Sequence, residues 1–391
     1  MGVRLMSVKQ TARIISTYAG DTSGVASALF ELGGMTVMHD ASGCNSTYNT
    51  HDESRWYDHD SLVFISALTE VEAMLGDDEK LIGDVVKAAR ELKPAFVAIA
   101  GTPIPMMTGV DFAAVARQIE DRTGIPSFGF DTNGMRSYVW GASAALAAVA
   151  ERFVTVQDNQ GTVQKGIPVN LLGLTPLDFS VLGADAAMKD LLEANGFSVL
   201  SRWAMGSSLD ELKKSASAAV NLVVSGAGMG AAKVLKERFG TPYVVGTPVG
   251  DRYAEELFSL LRKSADDGEC RVIGIGESDA RRVVIGEGVT ACSLARALTL
   301  ESGVPTRAVS ATDTDPLLTA SGCPMAVDED DLAPLLKNAE TVIADPLYRP
   351  IVPKTARFVP LPHEGFSGRM FRRDIPDLIR DFNKFRKEFD L

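Results

Sequence analysis

Short apolar runs alternate with amphipathic stretches along most of this chain, and glycine or proline turns separate them. The runs Pro94–Ala100 and Ile167–Leu172 have the length and composition of buried strands. Amphipathic stretches at Lys80–Leu92 and Asp185–Asn195 predict helices, and Gly196 follows the second at a position that favours glycine. Strands that alternate with helices predict parallel sheets covered by helices on both faces.

The same alternation continues to about residue 344. Further strands are predicted at Phe197–Leu200, Asn221–Ser225, Thr241–Gly246, Arg282–Gly286, Arg307–Ser310 and Thr341–Ala344, the last of the series. Two further helices are predicted at Ala231–Phe239 and Thr290–Ser302. From Pro346 onward, five prolines up to Pro362 predict an irregular segment, and an amphipathic helix over Ile375–Phe389 closes the pattern.

Two polar, turn-rich breaks, near residues 160–166 and 264–281, divide this pattern. A length of 391 residues suggests two or three domains, at roughly 100–200 residues each. The predicted fold is therefore α/β, with three Rossmann-like parallel-sheet domains at residues 1–165, 166–270 and 271–391. The third domain includes the proline-rich segment and the C-terminal helix.

Composition and charge narrow the functional classes. The formal net charge is −12 and no Lys/Arg block exists, which disfavours nucleic acid and anionic membranes as partners. No run reaches the ~18 apolar residues of a membrane span, and the first 16 residues lack the apolar region of a signal peptide. The four cysteines are far apart, which favours a cytoplasmic protein with reduced thiols: Cys44, Cys270, Cys292 and Cys323.

Two glycine loops, Gly226–Ala231 and Gly286–Ala291, fit the G-x-G-x-x-A pattern of dinucleotide-binding turns. Glu287 lies inside the second loop, where its charge would repel a pyrophosphate. Doubly wound domains need such turns in any case, so we interpret both loops as structural.

The segment His39–His59 carries the most unusual chemistry. It contains three of the four histidines of the chain, together with Cys44 next to Gly43. Cysteine, histidine and aspartate all bind metals, but the spacing contains no short chelating pair of the kind zinc sites use. From these residues alone, a metal site and a set of surface histidines beside an inert cysteine are both open.

Several motifs resemble, in order along the chain, those of the nitrogenase component 1 family. Gly43-Cys44 is followed by Ser66–Gly76, then Asp131–Met135, and the similarity ends at Pro362–Arg369. The family comprises nitrogenase subunits, cofactor-assembly scaffolds and dark-operative tetrapyrrole reductases. The resemblance implies three Rossmann-like domains, pairing with a second copy or a like sister subunit, and an ATP-hydrolysing iron–sulfur protein as electron donor.

The resemblance also implies roles for individual residues. Cys44 matches the middle of three cysteines that hold an iron–sulfur cluster between paired subunits. The first of these positions offers only Asp21, a residue type that serves as a cluster ligand in one branch of the family, and the third, near Gly101–Pro103, has no thiol. His363 aligns with the histidine that binds the catalytic cofactor, whereas the cysteine expected near Thr247–Gly250 is missing.

Because iron–sulfur clusters favour four thiolates, a single Cys44 per chain implies that a second subunit would complete any cluster. We favour an oxidoreductase subunit that reduces a substrate near a catalytic His363. A carrier of a metal cofactor or tetrapyrrole, and a cluster-less structural partner of a catalytic sister, are the alternatives. Cys292 and Cys270 are predicted to be structural, while Cys323, near a helix start, keeps a functional alternative.

Overall fold

The chain forms three parallel sheets, and each has its strands in the same relative order. The computed structural model describes residues 19–45, 48, 52–156, 166–272, 274 and 279–391. His51 and residues 160–165 and 275–278 of the two predicted breaks lie outside these ranges. The predicted α/β class with three parallel sheets is confirmed.

The first sheet has four strands in the order β2-β1-β3-β4, all paired in parallel. The strands are β1 (Met35–Met38), β2 (Leu62–Ile65), β3 (Val97–Ala100) and β4 (Ser127–Phe130). The accompanying helices are α1 (Asp21–Leu29), α2 (Glu70–Leu75), α3 (Asp78–Leu92), α4 (Pro103–Thr108), α5 (Phe112–Thr123) and α6 (Tyr138–Phe153).

The second sheet has five parallel strands in the order β6-β5-β7-β8-β9. The strands are β5 (Ile167–Leu172), β6 (Phe197–Arg202), β7 (Val220–Val223), β8 (Tyr243–Val245) and β9 (Arg271–Val272). The helices are α7 (Pro176–Phe179), α8 (Ala184–Ala194), α9 (Leu209–Leu212), α10 (Met229–Phe239) and α11 (Asp251–Asp267). Because β9 pairs with β8, the second sheet extends past residue 270, where the predicted division stood.

The third sheet has four parallel strands in the order β11-β10-β12-β13. The strands are β10 (Arg282–Gly286), β11 (Thr306–Ser310), β12 (Thr341–Ala344) and β13 (Arg357–Pro360). The helices are α12 (Gly288–Ser302), α13 (Pro316–Ala320), α14 (Glu329–Leu335), α15 (Glu364–Ser367) and α16 (Leu378–Glu388).

Two sequence predictions about the C-terminal region need correction. The segment after Pro346 is not wholly irregular, because β13 pairs with β12 and makes Thr341–Ala344 the penultimate strand of its sheet. An edge strand tolerates proline, since one side of it makes no ladder bonds, and Pro360 is the last residue of β13. The C-terminal helix exists but begins at Leu378, three residues after the predicted start.

Helix α6 lies at the centre of the molecule, where it packs against both α1 and α10. The contact with α1 is close enough that a Cβ on Gly24 would lie 2.1 Å from the Tyr138 carbonyl oxygen. A Cβ on Gly141 would lie 1.9 Å from the Asp21 carbonyl oxygen. The apolar cluster around α6 contains side chains from the parts of the chain that form all three sheets. Among the described helices, none has the length and apolar character that crossing a bilayer requires.

The shared strand order fixes where sites are expected. In each sheet the chain adds strands on one side and then on the other, and this reversal falls between the first and third strands in chain order. Open α/β sheets bind ligands at such a point, beyond the carboxyl ends of the strands. Cys44 follows β1 in the first sheet, and Glu287 follows β10 in the third.

Candidate functional site

Cys44 lies in the connection between β1 and β2. The equivalent connections of the other sheets contain the helices α8 and α12, whereas no α-helix is found in the described part of residues 39–61. The Cys44 amide donates to the Ala41 carbonyl at 3.0 Å. The Asp40 carboxylate accepts from the Ala41 amide and from Asn45 Nδ2, both at 2.8 Å. This turn leaves the Cys44 thiol exposed.

A cavity of about 540 Å³ opens beside Cys44. Its wall carries carboxyl and hydroxyl groups, including those of Asp40, Asp52 and Glu364. Asp52 Oδ1 is buried and has no hydrogen-bond partner within the described ranges. The charge of Asp40, and then partial burial, raises the pKa of the Cys44 thiol. A bound cation would reverse that shift and favour the thiolate.

Asp21 has a structural role in this part of the fold. Its Oδ1 accepts from the amides of Gly134 at 2.7 Å and Thr22 at 2.8 Å, and its Oδ2 accepts from Asn133 at 3.0 Å. Burial raises the pKa of Asp21, although these three amides oppose the shift. The cavity beside Cys44 is lined by the neighbours Gly20 and Thr22 but not by Asp21. The structure thus does not bring Asp21 and Cys44 together on one wall.

The connection that carries Cys44 is anchored by buried Arg55. Arg55 Nε donates to Glu53 at 2.7 Å, and Nη1 donates to Glu31 at 2.8 Å and to the Ala204 carbonyl at 2.9 Å. Burial alone would lower the pKa of Arg55, but the two carboxylates hold it above its ordinary value. Burial would raise the pKa of Glu53, yet the Arg55 charge keeps it lowered. The group is therefore an ionised network that joins the first and second sheets' units.

Exposed apolar side chains lie on and near the helices beside the Cys44 cavity. Ile104 of α4 lines the cavity, and α2 packs against α4. A group of exposed apolar side chains is a candidate interaction surface. We call this set the Cys44 rim; its members are Val71, Met74, Leu75, Ile104, Met106, Met107 and Met135.

His363 lies on a different cavity, between the second and third sheets, just before α15. Its Nδ1 accepts from the Gly365 amide at 3.1 Å, so the neutral ring carries its proton on Nε2. Nε2 is buried, lacks a hydrogen-bond partner in the described part of the chain, and lies 3.7 Å from Asp178 Oδ1. Burial lowers the pKa of His363 to about 3, so the ring is neutral at pH 7.

Asp178, in α7, is a candidate that sequence reasoning missed. Its side chain is fully buried. The Tyr138 hydroxyl donates to Oδ1 at 2.5 Å, and the Thr175 hydroxyl donates to Oδ2 at 2.6 Å. Burial, and then the charge of Glu287, raises the pKa of Asp178 to about 7. The only signal in the sequence is Thr175 three residues earlier, which is an ordinary helix N-cap pattern.

Glu287 explains the two glycine loops. Its carboxylate is buried and accepts from the amides of Gly226, Val289 and Thr290, each at 3.0 Å. One carboxylate therefore accepts from the first amide of one loop and from two amides in the first turn of α12, where a dinucleotide would place its phosphates. This geometry fits the structural interpretation of the loops.

The cavity beside His363 has an enclosed volume of about 80 Å³. The rest of its wall is apolar, and its titratable and hydroxyl side chains come from Asp178, Asp345, Asp377, His363, Thr247 and Thr290. Thr247 stands in the region where the family resemblance expected a cysteine.

Cys292 and Cys323 are buried and Cys270 is half-buried, so the Cys323 thiol is not accessible. Within the described ranges, no three His, Cys, Asp or Glu side chains come together as a metal site.

The sequence model of the nitrogenase component 1 type oxidoreductase family matches residues 23–285, which is more than half of the chain. The chain belongs to this family. The match includes Cys44 and Asp178 but ends before His363.

The curated relatives of this component 1-type chain are of two kinds. The nitrogenase iron-molybdenum cofactor biosynthesis protein NifE of Clostridium pasteurianum is 26% identical over 204 residues, 52% of this chain and 42% of that protein. A subunit of the light-independent protochlorophyllide reductase of Prosthecochloris aestuarii is 37% identical over 104 residues, 25% of this chain and 19% of that protein. The chain therefore spans less than half the length of either relative.

A solved structure, titled "Nitrogenase Cp1 at pH 6.5", has the same fold. It superposes with a TM-score of 0.66 and 17% identity, over 99% of this chain and 95% of that chain. The predicted three-sheet fold is thus confirmed over almost the whole length.

Proposed function

We propose that this component 1-type chain is an oxidoreductase subunit that contributes Cys44 to an iron–sulfur cluster shared with a like subunit. The observation that carries the proposal is the exposed Cys44 thiol on an open cavity, with exposed apolar side chains on the nearby helices α2 and α4. Buried structural cysteines do not occupy such positions, and exposed apolar side chains favour a covering protein surface. The partner subunit is a second copy of this chain or a sister of the same fold.

The metal ligands that one chain offers could bind part of an iron–sulfur cluster but not a whole cluster. Among the described residues, Cys44 is the one thiol on the cavity wall, beside Asp40, Asp52 and Glu364, and a cubane requires four ligands, mostly thiolates. We leave Asp21 out of the proposed ligand set because both of its oxygens accept backbone hydrogen bonds. When bound, the cluster would supply one-electron transfer. The electrons would come from an ATP-hydrolysing iron–sulfur reductase in the cytoplasm.

The substrate, in this proposal, binds in the cavity beside His363. That cavity combines an apolar wall with a few convergent polar groups, which is typical of small-molecule sites. His363 acts there through hydrogen bonding and proton placement rather than as a metal ligand. Its Nδ1 lone pair already accepts from Gly365, and its Nε2 faces Asp178.

Anaerobic purification with iron and acid-labile sulfide analysis tests the proposal. We expect iron and sulfide in the wild-type protein, alone or with its sister subunit, and their loss in Cys44→Ala. Cys270→Ala is the matched control, because Cys270 is a half-buried thiol away from the cavity, and it should retain both. Equal iron in wild type and Cys44→Ala would overturn the proposal.

A second candidate function is a carrier of a metal cofactor, favoured by the similarity to the NifE protein, which is named for cofactor biosynthesis. The two functions differ in turnover. An oxidoreductase consumes electrons catalytically when an ATP-dependent iron–sulfur reductase is added, whereas a carrier holds its cofactor without sustained electron consumption.

A further inference from the structure

Three separate parts of the chain meet at one buried carboxyl group beside the His363 cavity. Tyr138 begins α6 after the first sheet, Asp178 follows the first strand of the second sheet, and His363 follows the last strand of the third. The Tyr138 hydroxyl donates to Asp178, and the His363 ring lies near both, 6.3 Å from the Tyr138 ring and 3.7 Å from Asp178 Oδ1. Thr175 caps α7 and His363 caps α15, but neither cap involves the contacts that the Asp178 carboxyl makes with Tyr138 and His363.

The surroundings of Asp178 suit a group that changes its protonation state. The Tyr138 and Thr175 hydroxyls donate to its two oxygens and stabilise the carboxylate. Complete burial and the nearby charge of Glu287 favour the neutral acid. The titratable groups that face Asp178 are Glu287 at the start of α12, Tyr138 on α6 and His363 before α15.

The buried His363 Nε2–H supplies a third donor that lacks a partner among the described residues. It lies 3.7 Å from Asp178 Oδ1, which is slightly too far for a hydrogen bond. A movement of less than about 1 Å would close that distance when Asp178 becomes negative. Donors arranged around the position where charge develops are a common catalytic device.

We propose that Asp178 is the acid that delivers a proton to the substrate, with Tyr138 and His363 as the residues that position it. The proposal rests on the proposed function, because the electron that accompanies the proton comes from the iron–sulfur reductase. The Asp178 O–H bond breaks, and its proton bonds to the substrate atom that receives the electron. The O–H electron pair stays on Asp178, where Tyr138, Thr175 and His363 stabilise it until solvent returns a proton.

The cavity wall indicates the kind of substrate. Apart from Asp178, His363, two threonines and the aspartates Asp345 and Asp377, the wall is apolar, and the space is small. Carboxyl groups and apolar groups both disfavour an anion, so we expect the reacting part of the substrate to be small and not anionic. The polar end of the cavity is where its reducible atom would lie.

Infrared spectroscopy of protein with ¹³C-labelled aspartate carboxyls tests the proposal. We expect one buried acid that titrates near pH 7 and disappears in Asp178→Asn. In Tyr138→Phe its pKa should rise by about one unit, because a donor to the carboxylate is lost. Tyr253→Phe is the control, since buried Tyr253 on α11 is not bonded to Asp178, and it should leave the titration unchanged.

The same spectra separate this proposal from the proposed function. Reduction with dithionite at pH 8 should increase the signal of protonated Asp178 in the wild type, because added electrons attract a compensating proton. No acid titrating between pH 5 and 9, or an unchanged signal on reduction of an iron-containing protein, would overturn the proposal. A titrating Asp178 in a protein without iron would instead overturn the proposed function.

Discussion

The Cys44 region and the Asp178–His363 region both lie beyond the carboxyl ends of parallel strands, yet their environments are opposite. Cys44 is exposed on an open cavity of about 540 Å³, and the described part of its own chain offers no second thiol there. Asp178 is fully buried, and its donors all come from the same chain. In the proposed function, the first region needs another subunit to complete a site, whereas the groups around Asp178 all come from one chain.

The difference begins in the backbone of the crossovers. The first crossovers of the second and third sheets contain the helices α8 and α12, which cover the sheets. The first crossover of the first sheet instead carries the Cys44 turn and is tied down by Arg55. In the described part of that crossover no α-helix covers the sheet, which leaves this end of the first sheet available to a partner.

The largest expected effect comes from removing the anchor of the Cys44 region. Arg55→Met leaves Glu53 and Glu31 buried without their cation, and we expect a loss of about 3–5 kcal/mol in the free energy of unfolding. Urea denaturation measures it. Arg122→Met is the control, because its exposed ion pair with Glu79 should cost less than about 1 kcal/mol. Equal losses in the two variants would contradict the anchoring role.

The buried Asp178 carboxyl predicts that the free energy of unfolding depends on pH. Folded Asp178 keeps its proton up to about pH 7, whereas the unfolded chain releases it near pH 4. The folded state binds more protons in this window, so the wild type should lose stability as pH rises. Relative to Asp178→Asn, we expect a loss of about 2 kcal/mol between pH 5 and 7.

Denaturation of both proteins across that pH range checks the prediction. Asp210→Asn, an exposed aspartate paired with Lys213, is the control and should track the wild type. A difference between wild type and Asp178→Asn that stays constant with pH would show that Asp178 does not titrate there.

Gly365→Ala should disturb the second region by steric overlap. A Cβ at Gly365 would lie 2.5 Å from Tyr138 Cε1, so Tyr138 must move away from Asp178 at a cost of about 2 kcal/mol. Gly83→Ala is the control, because a Cβ at Gly83 meets no atom within 4 Å and the residue lies inside α3. That change should instead stabilise by about 0.5–1 kcal/mol in thermal denaturation.

The smallest effect on stability is expected at the Cys44 rim. Met74→Ser with Met107→Ser changes two exposed side chains and should alter unfolding by less than about 0.5 kcal/mol. Subunit association, followed by analytical ultracentrifugation, should nevertheless weaken by about tenfold or more. Met370→Ser is the control, an exposed methionine outside the rim, and association unchanged by the rim variant would place the interface elsewhere.

The sequence predicts most of the fold because the spacing of apolar residues and the residue types in turns are local properties of the chain. The strands Ile167–Leu172 and Thr341–Ala344 have the predicted bounds, since apolar runs between polar turns define buried parallel strands. The sequence pattern does not predict β13 because this strand ends in a proline: Pro360 suits an edge strand, but the sequence does not say which strand is the edge.

The candidate site was predicted less completely, because it depends on contacts between distant segments. The histidine-rich segment and the family resemblance make Cys44 a candidate, and the resemblance alone makes His363 one. Asp178 was missed because its partner Tyr138 lies 40 residues away, and a lone aspartate after Thr175 is typical of a helix cap. Asp21 is a candidate ligand through the family resemblance alone, and the amides of Asn133 and Gly134 that donate to its carboxylate lie 112 and 113 residues away in the chain.

Native mass spectrometry under anaerobic conditions tests the central claim, that Cys44 joins two subunits to one cluster. The account predicts two chains, this chain with its copy or its sister, that carry one iron–sulfur cluster and lose its mass in Cys44→Ala. A cluster bound to a single chain, or a pair of chains whose iron–sulfur mass persists in Cys44→Ala, would contradict it.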